Sequence, residues 1–260
     1  VIESFLLQPF FAVILVAISC SLLGVFVLWK KLFFFGDAMS HAILLGLVLG
    51  AFFKINQILS LTIFAIFFAF LTQTLSQTKY FSRGLIVMVL SYFCVALAII
   101  FNDLTLKDFN FTSYIFGDIL SVGTLEVQCL AAIAVIVVFY VIFSFKKILL
   151  INLNPDLAKI SGIKIEFWNL SFLILLALVI AFSIQLIGIF LMTALLILPA
   201  ALARIFSSSA LQMLVISVIS SVIISTSAFA LATNYDLKVG STIIASFCAI
   251  FLTALILKKS

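Results

Sequence analysis

The chain has 260 residues, 66% of them hydrophobic and 9% charged, with a mean hydropathy of +1.46. That composition excludes a water-soluble domain and predicts an all-α, polytopic integral membrane helix bundle, read as a single domain over residues 1–260 and embedded in a lipid bilayer. The net charge of +5 is explained by where the cations fall along the chain, and it marks no nucleic-acid surface.

A hydrocarbon core of ~30 Å takes roughly 20 helical residues, and breaks at charged and polar positions leave about nine such stretches. The first is expected at 6–29; Glu3 stands where a signal peptide has basic residues, and no small-residue cleavage site follows. The second, at 33–53, contains FFFGDAMSHAILLGLVLG. Here Asp37 and His41, the only histidine in the chain, are four residues apart inside an apolar run. On a helix that spacing turns both side chains the same way. A carboxylate in hydrocarbon is costly unless a cation meets it, and carboxylate plus imidazole on one face is a ligand pair for a divalent metal. Two blander readings stand beside it: His41 as a hydrogen-bonded packing residue, and Asp37 as a cap for the helix start. Ala42, Gly46 and Gly50 follow at four-residue spacing, on a face turned ~100–180° from His41, where a neighbouring helix can approach closely.

Spans three and four are expected at 57–76 and 84–101. Segment 102–126 then carries four acids, Asp103, Asp108, Asp118 and Glu126, and reads either as a docking face for a partner protein or as a solvated loop. Span five, at 127–145, leads into an inner loop, KKILLINLNPDLAKISGIKIEFW. Within it Asn154 suits an N-cap, Pro155 the first helical position, Asp156 the positive end of the helix dipole and Gly162 the C-terminal stop. The result is a helix of about two turns presenting Leu157 and Ile160, either to a partner subunit or to the lipid surface.

Spans six and seven, 167–184 and 187–205, divide at Gln185–Gly188, with a re-entrant arrangement as the alternative; Pro199 bends the second of them, as a moving joint or a static kink. Span eight, 211–232, carries Ser217, Ser221 and Ser225 at packing spacing, and span nine covers 239–257. Cys20, Cys94, Cys129 and Cys248 fall in separate apolar runs and read as packing residues. With the N-terminus outside and the C-terminus cytoplasmic, eleven of the fourteen cations lie inside and only Lys54, Lys107 and Lys238 outside. No GxxxxGK[ST] phosphate loop occurs, so an ATP-driven activity requires a separate polypeptide to handle the nucleotide.

Four runs, SLLGVFVLWKKLFFFGDAMSHAILLGLVLG, SYIFGDILSV, NPDLAKISGI and GIFLMTALLILPAALAR, occur in an order that resembles the bacterial metal-importer ABC permeases for zinc, manganese and iron, most closely the membrane subunit of high-affinity zinc importers. The GDxxxHA and LPAALAR runs are the specific ones. The resemblance covers about Ser21 to Lys259. It implies a multi-pass protein of the bacterial inner membrane that is not itself an enzyme. It also implies a homodimer, two ATP-binding subunits on the cytoplasmic side and an extracytoplasmic metal-binding protein. No permanently bound cofactor is implied; a divalent metal, zinc first, is the substrate, moved inward by alternating access. The metal-contacting motif falls on Asp37 and His41. The ATPase contact falls on Asn154, Pro155, Asp156, Leu157, Ile160 and Gly162. Lys238 and Val239 stand where the family often has a proline, and span four lacks its extra polar residues. The competing reading is a proton-coupled secondary transporter or channel for divalent cations.

Overall fold

The computed structural model describes residues 6–76, 80–105, 117, 119 and 122–259. Its helices are α1 (Leu7–Trp29), α2 (Phe33–Phe52), α3 (Gln57–Leu75), α4 (Arg83–Thr105), α5 (Thr124–Leu153), α6 (Pro155–Ile160), α7 (Ile165–Ile187), α8 (Ile189–Phe206), α9 (Ala210–Asn234) and α10 (Val239–Lys259). Eight of these, among the described residues, are long and apolar enough to cross a bilayer. The remaining predicted span falls on α8, whose 18 residues rise ~27 Å. Glu3, Lys79, Lys107, Asp108, Asp118 and most of segment 102–126 lie outside the described residues.

The long helices alternate in direction, and contacts between their ends fix the pairing. Lys30 at the end of α1 meets Asn169 at the start of α7, and Lys258 at the end of α10 meets the Ile205 carbonyl at the end of α8. One end of the bundle therefore gathers Lys30, Lys31, Arg83, Lys146, Lys147, Lys159, Lys164, Arg204, Lys258 and Lys259, while Lys54 and Lys238 lie at the other. Helices α1 and α2 form the interior. Their most apolar windows are 67% and 72% buried, against 22% for α4 and α10.

Where apolar helices meet in lipid, close backbone approach and interhelical hydrogen bonds replace a hydrophobic driving force. Helix α3 crosses α2 on its small-residue face. A Cβ at Gly46 would lie 2.9 Å from Phe64, and one at Gly50 2.8 Å from Ser60. The Ser60 hydroxyl donates to the Gly46 carbonyl at 2.6 Å. The serine row of α9 binds α1 in the same way. Ser217 donates to the Ser21 carbonyl at 3.1 Å and Ser221 to the Ala17 carbonyl at 3.0 Å. The packing expectation for both rows is met.

The tightest approach is one that the sequence spacing does not announce. A Cβ at Gly24 of α1 would sit 1.9 Å from the backbone oxygen of Leu196 in α8, three residues before Pro199. A carbonyl on a helix cannot rotate aside, so Gly24→Ala must force the two helices apart. Overpacking of this kind costs about 1–3 kcal/mol or more. We expect Gly24→Ala to lower the thermal midpoint of the purified protein in detergent, and Gly84→Ala, whose new methyl meets only Phe34 at 3.4 Å, to leave it nearly unchanged.

At two boundaries the helices can be set against the sequence pattern. The predicted division at Gln185–Gly188 is found: α7 ends at Ile187 and α8 begins at Ile189. Gly188 joins them with φ +82 and ψ 165, a conformation essentially reserved for glycine. Helix α5, in contrast, is 30 residues long and does not stop near residue 145; it runs through Lys146 and Lys147 to Leu153. At ~45 Å it outreaches the hydrocarbon core and carries the start of the expected inner loop as helix. Near its end the Lys147 ammonium lies 4.4 Å over the Trp168 ring at the start of α7.

Candidate functional site

Helix α2 begins at Phe33 with Leu32 as its N-cap residue and no acid in its first turn. Asp37 therefore sits one turn inside the helix, which removes the capping role for its carboxylate. Of α2's length, Phe33, Phe34, Asp37 and His41 form an open strip, whereas Leu44, Leu45 and Val48 beyond them are buried. The Asp37 and His41 side chains are 55% and 42% exposed on the surface of the protomer. They stand at the closed end of this strip, about 6–12 Å along the helix from Phe33. The face opposite them packs on α3 through Gly46 and Gly50, as the spacing predicts.

The His41 ring is oriented by its own helix. Its Nδ1 lies 2.9 Å from the Asp37 backbone carbonyl and 3.8 Å from Asp37 Oδ1. The first distance is a hydrogen bond and the second is not. A carbonyl only accepts, so Nδ1 carries the hydrogen and the lone pair is left on Nε2, which points away from that carbonyl across the ring. An Nδ1–H bonded to a backbone oxygen is the outer-shell arrangement that fixes imidazole as a metal ligand. The Asp37 carboxylate keeps its acceptor sites free of hydrogen bonds among the described residues. One carboxylate and one Nε2 are two donors, short of the four of a closed zinc site. Among the described residues no group of three or more His, Cys, Asp or Glu side chains converges.

At the basic end, the chain leaves α5 and forms α6. The Asn154 side chain accepts from the Asp156 and Leu157 N–H groups, both at 3.1 Å, and Pro155 occupies the first turn. Asp156 and Lys159 sit at the first and last turns, matching the helix dipole. Gly162, at φ +74, donates to the Lys159 carbonyl at 3.0 Å, and Ile163 donates to that of Ala158 at 3.0 Å, closing a Schellman motif. Ala158 is buried as the foot of the helix. Leu157 and Ile160 are 51% and 82% exposed and form an apolar knob. Each of the predicted capping positions takes its expected part, and the helix is six residues long. A helix so short is marginal by itself and is held here by its two caps and by Ala158.

A third feature has no signal in the sequence: the half-buried Lys30, with Arg83 and Asn169 around one pocket. Cations at span ends are normally read as snorkelling, and Asn169 is 139 residues away in the chain.

Comparison with known proteins places this architecture. The chain is 30% identical over 241 residues to the high-affinity zinc uptake system membrane protein ZnuB of Buchnera aphidicola, covering 92% of this chain and 91% of that one. It is 25% identical over 250 residues to the manganese import system permease protein ScaB of Streptococcus gordonii, covering 96% and 90%. The fold is that of the structure described as PsaBC from Streptococcus pneumoniae in complex with Fab, with a TM-score of 0.85 over 96% of this chain and 91% of that chain at 24% identity. These likenesses mark a multi-pass transport protein of the bacterial inner membrane. The sequence pattern of the ABC 3 transport family matches residues 3–258, and the chain belongs to that family.

Proposed function

We propose that the chain is the membrane permease of an ATP-driven importer of a divalent metal, zinc first, with Asp37 and His41 as the groups the metal meets inside the membrane. The observation that carries this reading is the placement of the pair. Two polar side chains on one of the most enclosed helices of the bundle nevertheless turn outward from the protomer, with the His41 tautomer set for coordination. A surface that places an acid and an imidazole in lipid by themselves is costly. A two-fold dimer that brings two Asp37 and two His41 around one axis turns the same groups into a four-donor site. Zinc takes precedence because the relative with 30% identity is a zinc uptake protein. Oxygen and nitrogen donors also suit manganese and ferrous iron.

The same reading orients the protein. The end rich in cations faces the cytoplasm, with the N-terminus outside, following the positive-inside bias. The knob of Leu157 and Ile160 then lies on the cytoplasmic side and fits an apolar recess of the ATP-binding subunit. Metal comes from an extracytoplasmic binding protein, and closing and reopening of the dimer pass it inward. Proteoliposomes holding the permease and its ATPase test this. Zinc accumulation that needs ATP and is indifferent to a proton gradient supports it; accumulation driven by a proton gradient in vesicles of this chain alone supports a secondary transporter instead.

A further inference from the structure

At the basic end, where α1, α3, α4 and α7 converge, a pocket is lined by Lys30, Thr72, Gln73, Ser76, Arg83 and Asn169 above the ring of Phe172. The Lys30 ammonium donates to the Asn169 side-chain oxygen and lies 5.5 Å from the Phe172 ring centre. Thr72 is 3% exposed, and its hydroxyl has no hydrogen-bond partner among the described residues. Among those residues neither Lys30 nor Arg83 has a carboxylate partner; the ion-pair contact found there is that of His41 with Asp37. Burial first, and then the positive charge of Arg83, pull Lys30 from 10.5 down to about 8.

Two cations held together without an anion, beside an unused buried hydroxyl, leave a site electrostatically incomplete. The chemistry of the missing group follows from the geometry. The pocket has an accessible volume of about 20 Å³, room for about one water-sized group. Arg83 is exposed at the mouth. An oxyanion that puts one oxygen at Thr72 and Lys30 and leaves another outside for the guanidinium matches this arrangement, and a tetrahedral phosphate has oxygens for all three groups. The lining residue Arg83 starts α4, and its chain neighbours are apolar and open: a Cβ on Gly84 would meet Phe34 at 3.4 Å, and Phe34 and Leu85 are 54% and 48% accessible. That apolar border suits acyl chains and not a freely diffusing ion.

We propose that this pocket binds the phosphate group of an anionic phospholipid, with Lys30, Arg83 and Thr72 holding the phosphate oxygens. This goes beyond the transport reading and does not depend on which metal is carried, or on metal transport at all. A bound phosphate supplies the counter-charge that Lys30 and Arg83 lack, and ties the ends of α3 and α4 together through a lipid.

Native mass spectrometry of the purified permease complex tests it, with phosphatidylglycerol and phosphatidylcholine of identical chains added in equal amounts. Two cations at the site, at about 1 kcal/mol each, predict retention of phosphatidylglycerol by about 30-fold over phosphatidylcholine. Arg83→Gln, a change at an exposed position, reduces that preference by about fivefold, whereas Lys54→Gln at the opposite end leaves it intact. Thr72→Val lowers retention with the fold preserved. Equal retention of the two lipids, or an undiminished preference in both Arg83→Gln and Thr72→Val, overturns the proposal. A parallel arm adds inorganic phosphate in place of lipid; protection of the complex by inorganic phosphate without any effect of phosphatidylglycerol assigns the pocket to a free anion and also overturns it.

Discussion

Replacing Asp37 or His41 with alanine is expected to abolish zinc accumulation while the permease still inserts and still assembles with its ATPase. Both side chains are about half exposed, 55% for Asp37 and 42% for His41, so their truncation leaves an open notch and no enclosed cavity. The one internal bond that is lost, His41 Nδ1 to the Asp37 carbonyl, belongs to a single side chain. The effect on transport should be large. Changing only an outer-shell partner of a metal ligand typically costs about 10–100-fold, and removing the ligand itself costs at least that. In a symmetric dimer each substitution deletes two donors at once. Asp37→Asn provides the sharper comparison: it keeps the shape and removes the charge, and should fall close to Asp37→Ala. Uptake of radioactive zinc by reconstituted vesicles measures the loss, and the yield of ATPase-bound permease reports assembly.

The second large effect is expected at α6. Leu157→Asp and Ile160→Asp should each release the ATP-binding subunit and, with it, ATP-dependent uptake. A buried apolar anchor at the centre of an interface typically contributes about 2 kcal/mol or more, roughly 30-fold in affinity, and placing a carboxylate there adds a desolvation cost. Within the permease these two residues are largely exposed, at 51% and 82%, so neither change is expected to disturb the chain's own fold. Lys159→Ala serves as the control, since it shortens a solvated side chain and leaves the knob in place. Co-purification of permease and ATPase after solubilisation, followed by ATPase activity, separates the outcomes. Retained co-purification in both aspartate variants would remove α6 from the interface.

Much of the architecture is legible in the amino-acid sequence, because in lipid the backbone must satisfy itself and apolar length alone delimits the helices. The break between α7 and α8 is readable from Gln185–Gly188, and the caps of α6 from residue types at fixed offsets. Features that depend on residues distant in the chain are not. Lys146 and Lys147 resemble the end of a span, but α5 continues past them to Leu153, and Lys147 meets the Trp168 ring of α7. Gly24 carries no spacing signal; its importance comes from a carbonyl of Leu196 that only folding brings beside it. Lys30 and Asn169 meet for the same reason. For the proposed metal pair, the four-residue spacing is enough to put Asp37 and His41 on a shared face. Folding adds that the carboxylate is no cap and that the imidazole hydrogen is held on Nδ1.

The chain's single histidine makes the role of the pair directly measurable. Zinc K-edge absorption can be recorded on the zinc-loaded permease–ATPase complex, purified without a histidine tag, for the wild type and for His41→Ala. The difference spectrum isolates any imidazole that this chain contributes. Nitrogen scattering at about 2.0–2.1 Å, with the outer-shell pattern of an imidazole ring, is expected in the wild type and should be absent from the variant. Identical spectra at equal zinc content would contradict a metal-contacting His41, since the metal would then be held without the one imidazole the chain possesses.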